Sequence, residues 1–182
     1  MSRAAEWWKA NALALRVIGT FVALIFVFFF LLTWEPILTR FDVGAGMARL
    51  AAWMSFGIIR VLGLFLGFTP HRTGTLGTIL GAGEYEVDVS PACSGAVPTS
   101  IYLAAVLAYP ASARAKTIGA LMGFAAIHFV NLVRVTALFL IGMYHSSLFH
   151  ETHVYVAQAL VICVAVAIWL YWASRFTDAP AS

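Results

Sequence analysis

Residues 17–34 read VIGTFVALIFVFFFLLTW, an uncharged run of about the length that a helix needs to cross a bilayer. Three basic residues precede it, Arg3, Lys9 and Arg16. This order is similar to that of a secretory signal peptide, but no small-residue cleavage site follows the run. The pattern therefore predicts a retained membrane anchor whose N-terminal end lies in the cytoplasm.

The rest of the chain shares this apolar character. Of the 182 residues, 62% are hydrophobic and 10% are charged, against roughly 25% charged residues in an average soluble domain. A soluble fold of this size cannot cover so much apolar surface, so the composition predicts an integral membrane protein. The net charge of +3 comes from basic residues that stand singly between apolar runs, and nucleic acid is therefore not an expected partner.

Further apolar runs predict an all-α bundle of about four transmembrane helices. The predicted spans are residues 17–34, 92–113, 117–143 and 154–174. A fifth apolar stretch, residues 44–68, carries Arg49 and Arg60 on one line of a helix, about 20° apart. This spacing favours an amphipathic helix on the outer face, and a further span is the alternative.

The basic residues between the runs determine the predicted topology. Arg114 and Lys116 lie in a short loop and Arg175 follows the last run, so all three are expected on the cytoplasmic side with the N-terminus. Residues 1–182 then form a single membrane domain. Its parts are the N-terminal anchor (1–34), an outer-face segment (35–91), a helical core (92–174) and a cytoplasmic tail (175–182).

The outer-face segment contains a predicted short β-hairpin just before Cys93. Residues 73–80 are rich in Thr, Gly and aliphatic residues, residues 81–83 are Gly-Ala-Gly, and residues 84–90 alternate between polar and apolar. We expect the apolar members of the last stretch to face the protein and the acidic members to face water.

Arg134 interrupts the third predicted span, and a charged side chain at the centre of a span costs about 2.5–3.5 kcal/mol on insertion scales. His128, Asn131 and Arg134 are spaced by three, so they form a polar stripe on one helix face. We expect this stripe to face the bundle. Hydrogen bonding between helices is one explanation for it, and a functional site is the other.

Cys93 lies in the sequence SPACSG, at the junction between the hairpin and the second predicted span. Pro91 suits the first turn of a helix, where the helix dipole and free N–H groups favour a thiolate and could hold an oxyanion. Gly95 would allow the close approach of a substrate peptide. The predicted substrate contacts are Ser94, Gly95 and Asn131.

Two histidines near the last span are candidates for the base that such a thiol needs. His153 opens the span and is held by helix geometry, whereas His150 lies in the preceding loop. Glu151 is expected to orient the imidazole. His153 is the stronger candidate, and a shared or replacing role for His150 stays open.

Cys93, Arg134 and His153 would bring a thiol, a guanidinium and an imidazole to one side of the membrane, which is a constellation for acyl transfer. Cys163 lies in an unbroken apolar run and is interpreted as a small hydrophobe. The cysteines form neither a disulfide framework nor a metal-binding pattern, so we expect no metal and no other cofactor. The alternative is a non-catalytic binding subunit or a small transporter, although the chain lacks internal symmetry.

These motifs resemble those of the exosortase/archaeosortase family, whose motif residues are Cys, Arg and His in that order. The resemblance rests on Ala-Cys-Ser-Gly at 92–95, Asn-Leu-Val-Arg at 131–134 and the stretch from His153 to Gln158, and it covers roughly residues 84–173. The C-terminal stretch is most similar to exosortase H, the type paired with proteins bearing IPTLxxWG-CTERM tails. Ala96 stands where the family often has Leu or Ile.

The resemblance implies a cysteine transpeptidase or thiol protease of the bacterial inner membrane, with its active site at the periplasmic face. Its expected partners are membrane lipids and exported proteins that end in a short motif, a hydrophobic helix and a basic tail. The sorting signal would be cleaved through a thioester on Cys93, and the protein would pass to a cell-surface acceptor. The sequence leaves open whether water or an amine resolves the thioester, and the oligomeric state.

Overall fold

The structure, a computed structural model, describes residues 3–35 and 42–177. Its helices are α1 (Arg3–Thr33), α2 (Val43–Leu66), α3 (Ala96–Ala108), α4 (Ala113–Tyr144), α5 (Ser146–Glu151) and α6 (Ala157–Phe176). The other elements are the strands β1 (Pro70–Thr73), β2 (Ile79–Ala82) and β3 (Tyr85–Asp88), a 3₁₀ turn (Pro91–Cys93) and a π-helical segment (Thr152–Val156). Parts of the predicted anchor, outer-face segment and tail lie outside the described residues, at 1–2, 36–41 and 178–182.

Within the described ranges, four helical stretches are long and apolar enough to cross a membrane. They are Asn11–Thr33 of α1, Val43–Leu66, Ala113–Tyr144 and Ser146–Phe176, in which α5, the π-helical segment and α6 form one continuous helix. The prediction of an all-α membrane protein with about four transmembrane helices is confirmed. Helix α2 has 24 residues and is also long enough to cross a membrane, so its length is compatible with both an outer-face helix and a further span for residues 44–68.

The second predicted span, residues 92–113, is corrected by the structure. Helix α3 has only 13 residues, a length of about 20 Å, which is less than the 30 Å of a typical hydrocarbon core. Gly95, at φ 81°, separates it from the preceding turn. Pro110 ends it, because Tyr109 before the proline takes an extended conformation at φ −69° and ψ 137°. The apolar run therefore contains a turn, a short helix and an extended exit.

The predicted hairpin is part of a three-stranded antiparallel sheet in the order β1-β2-β3. Ala82 pairs with Tyr85, so the turn between β2 and β3 consists of Gly83 and Glu84. Gly83 has a φ of 61°, a conformation that glycine adopts without strain. The turn predicted at residues 81–83 is thus found at residues 83–84. Strand β1 is an additional strand that the sequence pattern did not indicate.

The alternation predicted for β3 is confirmed. Tyr85 and Val87 are half-buried and Val89 is buried, whereas Glu86 and Asp88 are exposed. The buried side belongs to a group of residues, here called the sheet cluster, that joins α2, the sheet and the C-terminal half of α4. Its buried members are Ala51, Ala52, Ile59, Leu80, Ala82, Val89, Val135 and Phe139.

A second group, here called the helix cluster, joins α3, the N-terminal half of α4 and α6. Its buried members are Tyr102, Val106, Ile127, Val161 and Trp172. Helix α4 contributes to both clusters, with Ile127 in one and Val135 in the other. Asn131 and Arg134 therefore lie at the boundary between the two clusters. Helix α1 packs against α3, and none of its residues from Asn11 to Thr33 is buried.

Small residues let the helices of the helix cluster approach closely. Ala115, Gly119 and Gly123 recur at four-residue intervals on α4 and are buried. The Trp172 indole Nε1 donates a hydrogen bond to the carbonyl of Ala115 at 2.7 Å, and the Tyr102 hydroxyl donates to the carbonyl of Gly119 at 3.0 Å. Such spacing of small residues is typical of helix contacts inside membranes.

We expect Gly119→Ala to destabilise the protein by about 1–3 kcal/mol, because the added methyl group overpacks this contact. A Cβ at Gly119 would lie 2.6 Å from Cε2 of Trp172. Gly57→Ala is the matched control, since Gly57 is an exposed helical glycine of α2 with nothing within 4 Å of such a Cβ. Thermal unfolding in detergent measures both variants, and equal midpoints would contradict the close packing of α4 against Trp172.

Candidate active site

Cys93 ends the 3₁₀ turn and precedes α3 by three residues. Its backbone N–H donates to the carbonyl of Ser90 at 2.8 Å, and the N–H of Ser94 donates to the carbonyl of Pro91 at 3.2 Å. The sequence analysis placed Cys93 in a first helical turn with free N–H groups, and the structure corrects this. The N–H groups of Cys93 and Ser94 are occupied within the turn because Gly95 breaks the chain direction before α3 begins.

Ser94 and Gly95, two predicted substrate contacts, build this turn. Ser94 is fully buried, and its hydroxyl donates to the Pro91 carbonyl at 2.6 Å and accepts from the Ala96 N–H at 3.2 Å. Gly95 has a positive φ, and a Cβ there would lie 3.3 Å from Cε1 of His128. Both residues contact protein atoms and fix the position of Cys93, while a direct contact with substrate stays a prediction.

The polar stripe of α4 faces the bundle. Asn131 is 1% exposed and Arg134 is 7% exposed. The Asn131 side-chain Nδ2 donates a hydrogen bond to the carbonyl of Cys93 at 2.9 Å. His128 is half-buried, with Nε2 3.5 Å from the hydroxyl of Thr99 on α3. Asn131, also predicted as a substrate contact, therefore connects α4 to the turn that carries the cysteine.

The π-helical segment places an imidazole beside the thiol. His153 Nε2 lies 4.0 Å from Cys93 Sγ. The His153 ring stacks on Phe149, with ring centroids 5.7 Å apart and planes 9° apart. The buried Nδ1 has no hydrogen-bond partner in the described part of the chain. Glu151, expected to orient the ring, is exposed, and His150 is exposed as well.

Phe149 is the site residue that the sequence analysis missed. It precedes His153 by four residues, a spacing that places two side chains side by side on a helix. The signal was available, but the segment was interpreted as a loop, in which such spacing has no meaning. The aromatic face, and not a carboxylate, limits the orientations of the imidazole.

Arg134 is buried without a carboxylate partner. Among the described residues, the ion-pair distance of 4.0 Å is met by His71 and Glu86 alone, and the Nε of Arg134 is buried without a hydrogen-bond acceptor. A buried charge without a counter-ion is destabilising by several kcal/mol. The guanidinium is thus suited to receive an anion or a carbonyl oxygen that becomes negative.

Cys93, Arg134 and His153 surround one cavity of about 50 Å³. The remaining lining residues come from the end of the sheet, from α4 and from α5. They are Val87, Asp88, Val89, Val135, Leu138, Phe139 and Phe149. Cys93, Arg134 and His153 lie on three separate segments of the chain, and the fold brings these predicted site residues to one cavity.

A larger groove of about 510 Å³ lies between α1, α3 and α6. Its lining is apolar except for Gln158 and Tyr102, and the Tyr102 hydroxyl already bonds to α4. It contains no nucleophile or base, so the smaller cavity is the candidate active site. In the described ranges, no group of three or more His, Cys, Asp or Glu side chains could hold a metal ion.

A family model described as Transmembrane exosortase (Exosortase_EpsH) matches residues 10–172. The match includes Cys93, Arg134 and His153. The chain belongs to the transmembrane exosortase family. The exosortase family is one of membrane-embedded proteins of the transpeptidase or protease type, and this is the class of chemistry that membership suggests. No curated protein and no solved structure matches the chain. The similarity to exosortase H in particular stays a prediction.

We expect Asn131→Ala to increase the alkylation rate of Cys93 in this exosortase by about two- to tenfold, the equivalent of one hydrogen bond that restrains the turn. Timed labelling with iodoacetamide, followed by peptide mass spectrometry, measures the rate. Both proteins carry Cys163→Ala, so that Cys93 is the only thiol labelled, and the protein with Asn131 intact is the matched reference. An unchanged Cys93 rate would contradict the positioning role of Asn131.

Proposed function

We propose that this exosortase cleaves C-terminal sorting signals of exported proteins through a thioester on Cys93, with His153 as acid and base and Arg134 as the group that stabilises the oxyanion. One observation carries the proposal. The Cys93 thiol lies 4.0 Å from the His153 imidazole, in a cavity lined by a buried arginine that has no carboxylate partner among the described residues.

In the first step, His153 Nε2 takes the proton from Cys93 Sγ, and the thiolate attacks the carbonyl carbon of the scissile peptide bond. The distance of 4.0 Å is longer than a hydrogen bond between these groups in a reacting complex, and such contacts tighten when substrate binds. The carbonyl oxygen becomes negative. The guanidinium N–H groups of Arg134 donate hydrogen bonds to this oxygen. They are needed for this role because the backbone N–H groups of Cys93 and Ser94 already bond within the turn.

In the second step, the tetrahedral intermediate collapses and the carbon–nitrogen bond breaks. His153 gives its proton to the leaving amine, and the acyl part of the substrate remains on Cys93 as a thioester. Water or an amine then attacks this thioester, with His153 acting as base, and the thiol is restored. We propose that an amine on a cell-surface acceptor is the physiological nucleophile, so that the enzyme is a transpeptidase.

The distribution of basic residues supports a periplasmic site in a bacterial inner membrane. Arg114 and Lys116 lie at the first turn of α4, and Arg134 is 18 residues further along the same helix, a distance of about 27 Å. Basic residues accumulate on the cytoplasmic side of membrane proteins. The cavity then opens towards the opposite side, where exported proteins with a short motif, a hydrophobic helix and a basic tail arrive.

We expect Cys93→Ala to abolish cleavage of such a substrate, because no other thiol and no hydroxyl group among the described residues lines the cavity. The substrate is an exported protein with a C-terminal signal, expressed together with the exosortase, and its intact mass is measured by mass spectrometry. Cys163→Ala is the matched control and should keep the wild-type product. Cleavage that persists without Cys93 would refute the mechanism, and Cys93-independent association without any cleavage would favour a binding subunit.

We expect His153→Ala to reduce cleavage by about 100-fold or more, the usual contribution of a positioned acid–base group. His150→Ala is the matched control, because His150 lies three residues before His153 and its side chain is exposed. This control variant should keep most of the activity. Initial rates of product formation measure both variants. The reverse order of the two rates would transfer the acid–base role to His150.

A further inference from the structure

Strand β3 is an edge strand next to the catalytic cavity. In the order β1-β2-β3, it pairs with β2 on one side only. Val87, Asp88 and Val89, at the end of this strand, line the cavity together with Cys93 and His153. The unpaired edge of a sheet offers backbone donors and acceptors to another extended chain.

One hydrogen bond fixes which backbone groups of β3 are unpaired. The N–H of Val89 donates to the carbonyl of Thr78, at 3.0 Å. In an antiparallel ladder, alternate residues direct both backbone groups towards the partner strand and the residues between them direct both away. The backbone N–H and C=O groups of Tyr85, Val87 and Val89 therefore point towards β2. The N–H and C=O groups of Glu86 and Asp88 point outward, and no backbone hydrogen bond within the described ranges uses them.

We infer that the extended peptide segment to be cleaved binds as an additional strand along the outer edge of β3, pairing with the backbone of Glu86 and Asp88. The inference rests on the proposed function and names how that substrate is held. Strand addition would place the substrate segment along the cavity wall. The carbonyl group of the next substrate residue along the chain would then reach Cys93, and Arg134 lies within the same cavity.

The chemistry of the edge selects a peptide in extended form. A helix has its backbone groups bonded internally, and a lipid chain has no regularly spaced donors, so neither can pair with this edge. Side chains of an added strand alternate between two faces. One face would meet the cavity of about 50 Å³ beside Leu138 and Phe139, which fits a small apolar side chain. The other face would lie beside the exposed carboxylates of Glu86 and Asp88, which suits polar or basic side chains.

An amide-to-ester scan of the substrate tests the inference with the unchanged enzyme. The probe is a synthetic peptide with a short motif, an apolar helix of about 20 residues and a basic end, and cleavage is followed with the protein in lipid nanodiscs. Each ester removes one N–H donor. We expect the cleavage rate to fall about two- to tenfold at every second position of the extended segment, with little change between them. Losses without this alternation would overturn strand pairing.

Variants of the enzyme provide an independent test. Asp88→Pro removes an outward N–H and leaves the ladder to β2 intact, which an edge strand tolerates. Asp88→Ala removes the same carboxylate and keeps the N–H. We expect cleavage by the proline variant to be about two- to tenfold slower than by the alanine variant. Equal rates would overturn the inference.

Arg72→Pro is the control on the opposite edge. Arg72 pairs with Leu80, which faces β3, so the N–H of Arg72 also points away from the sheet but lies on β1. Its variant should cleave at the wild-type rate. Cys93-dependent cleavage of the probe by the wild type must accompany these results. If Cys93→Ala removes no product, the proposed function and the inference both fail, whereas Cys93-dependent cleavage without alternation refutes strand pairing alone.

Discussion

The positive charge of Arg134 has to be kept away from lipid, and the rest of the structure is arranged around this constraint. A charged side chain inside a membrane is tolerated when protein surrounds it. Helix α4 carries the arginine at the boundary between the sheet cluster and the helix cluster, so packing on both sides of α4 excludes lipid at this level. The same packing brings the turn of Cys93 and the ring of His153 to the guanidinium.

Much of this arrangement could be predicted because it depends on local periodicity. The three-residue spacing from His128 to Arg134 placed the polar stripe on one face of α4, and strict alternation placed Val89 on the buried side of the sheet. The order of apolar runs also predicted a membrane bundle. Cys93 and His153 were identified from their settings at the ends of predicted spans and Arg134 as a charge within a span, and the fold brings the three residues together.

The errors concern features that depend on single backbone angles or on tertiary contacts. Composition cannot distinguish a continuous span from a turn and a short helix, so the break at Gly95 and the exit at Tyr109 were missed. The N–H groups of the cysteine turn are occupied because of the backbone angles of residues 90–94, and the hydrogen bond from Asn131 to Cys93 joins residues 38 positions apart in the chain. Phe149 was overlooked because its helix was interpreted as a loop.

The short length of α3 explains how an irregular segment comes to lie inside a helical bundle. A helix of 13 residues is about 20 Å long, whereas the 32 residues of the neighbouring α4 extend over about 48 Å. Beyond Gly95, the place beside α4 is taken by the cysteine turn, whose carbonyl accepts the hydrogen bond from Asn131. The candidate site thus exists because one helix stops early and a non-helical segment takes over its packing position.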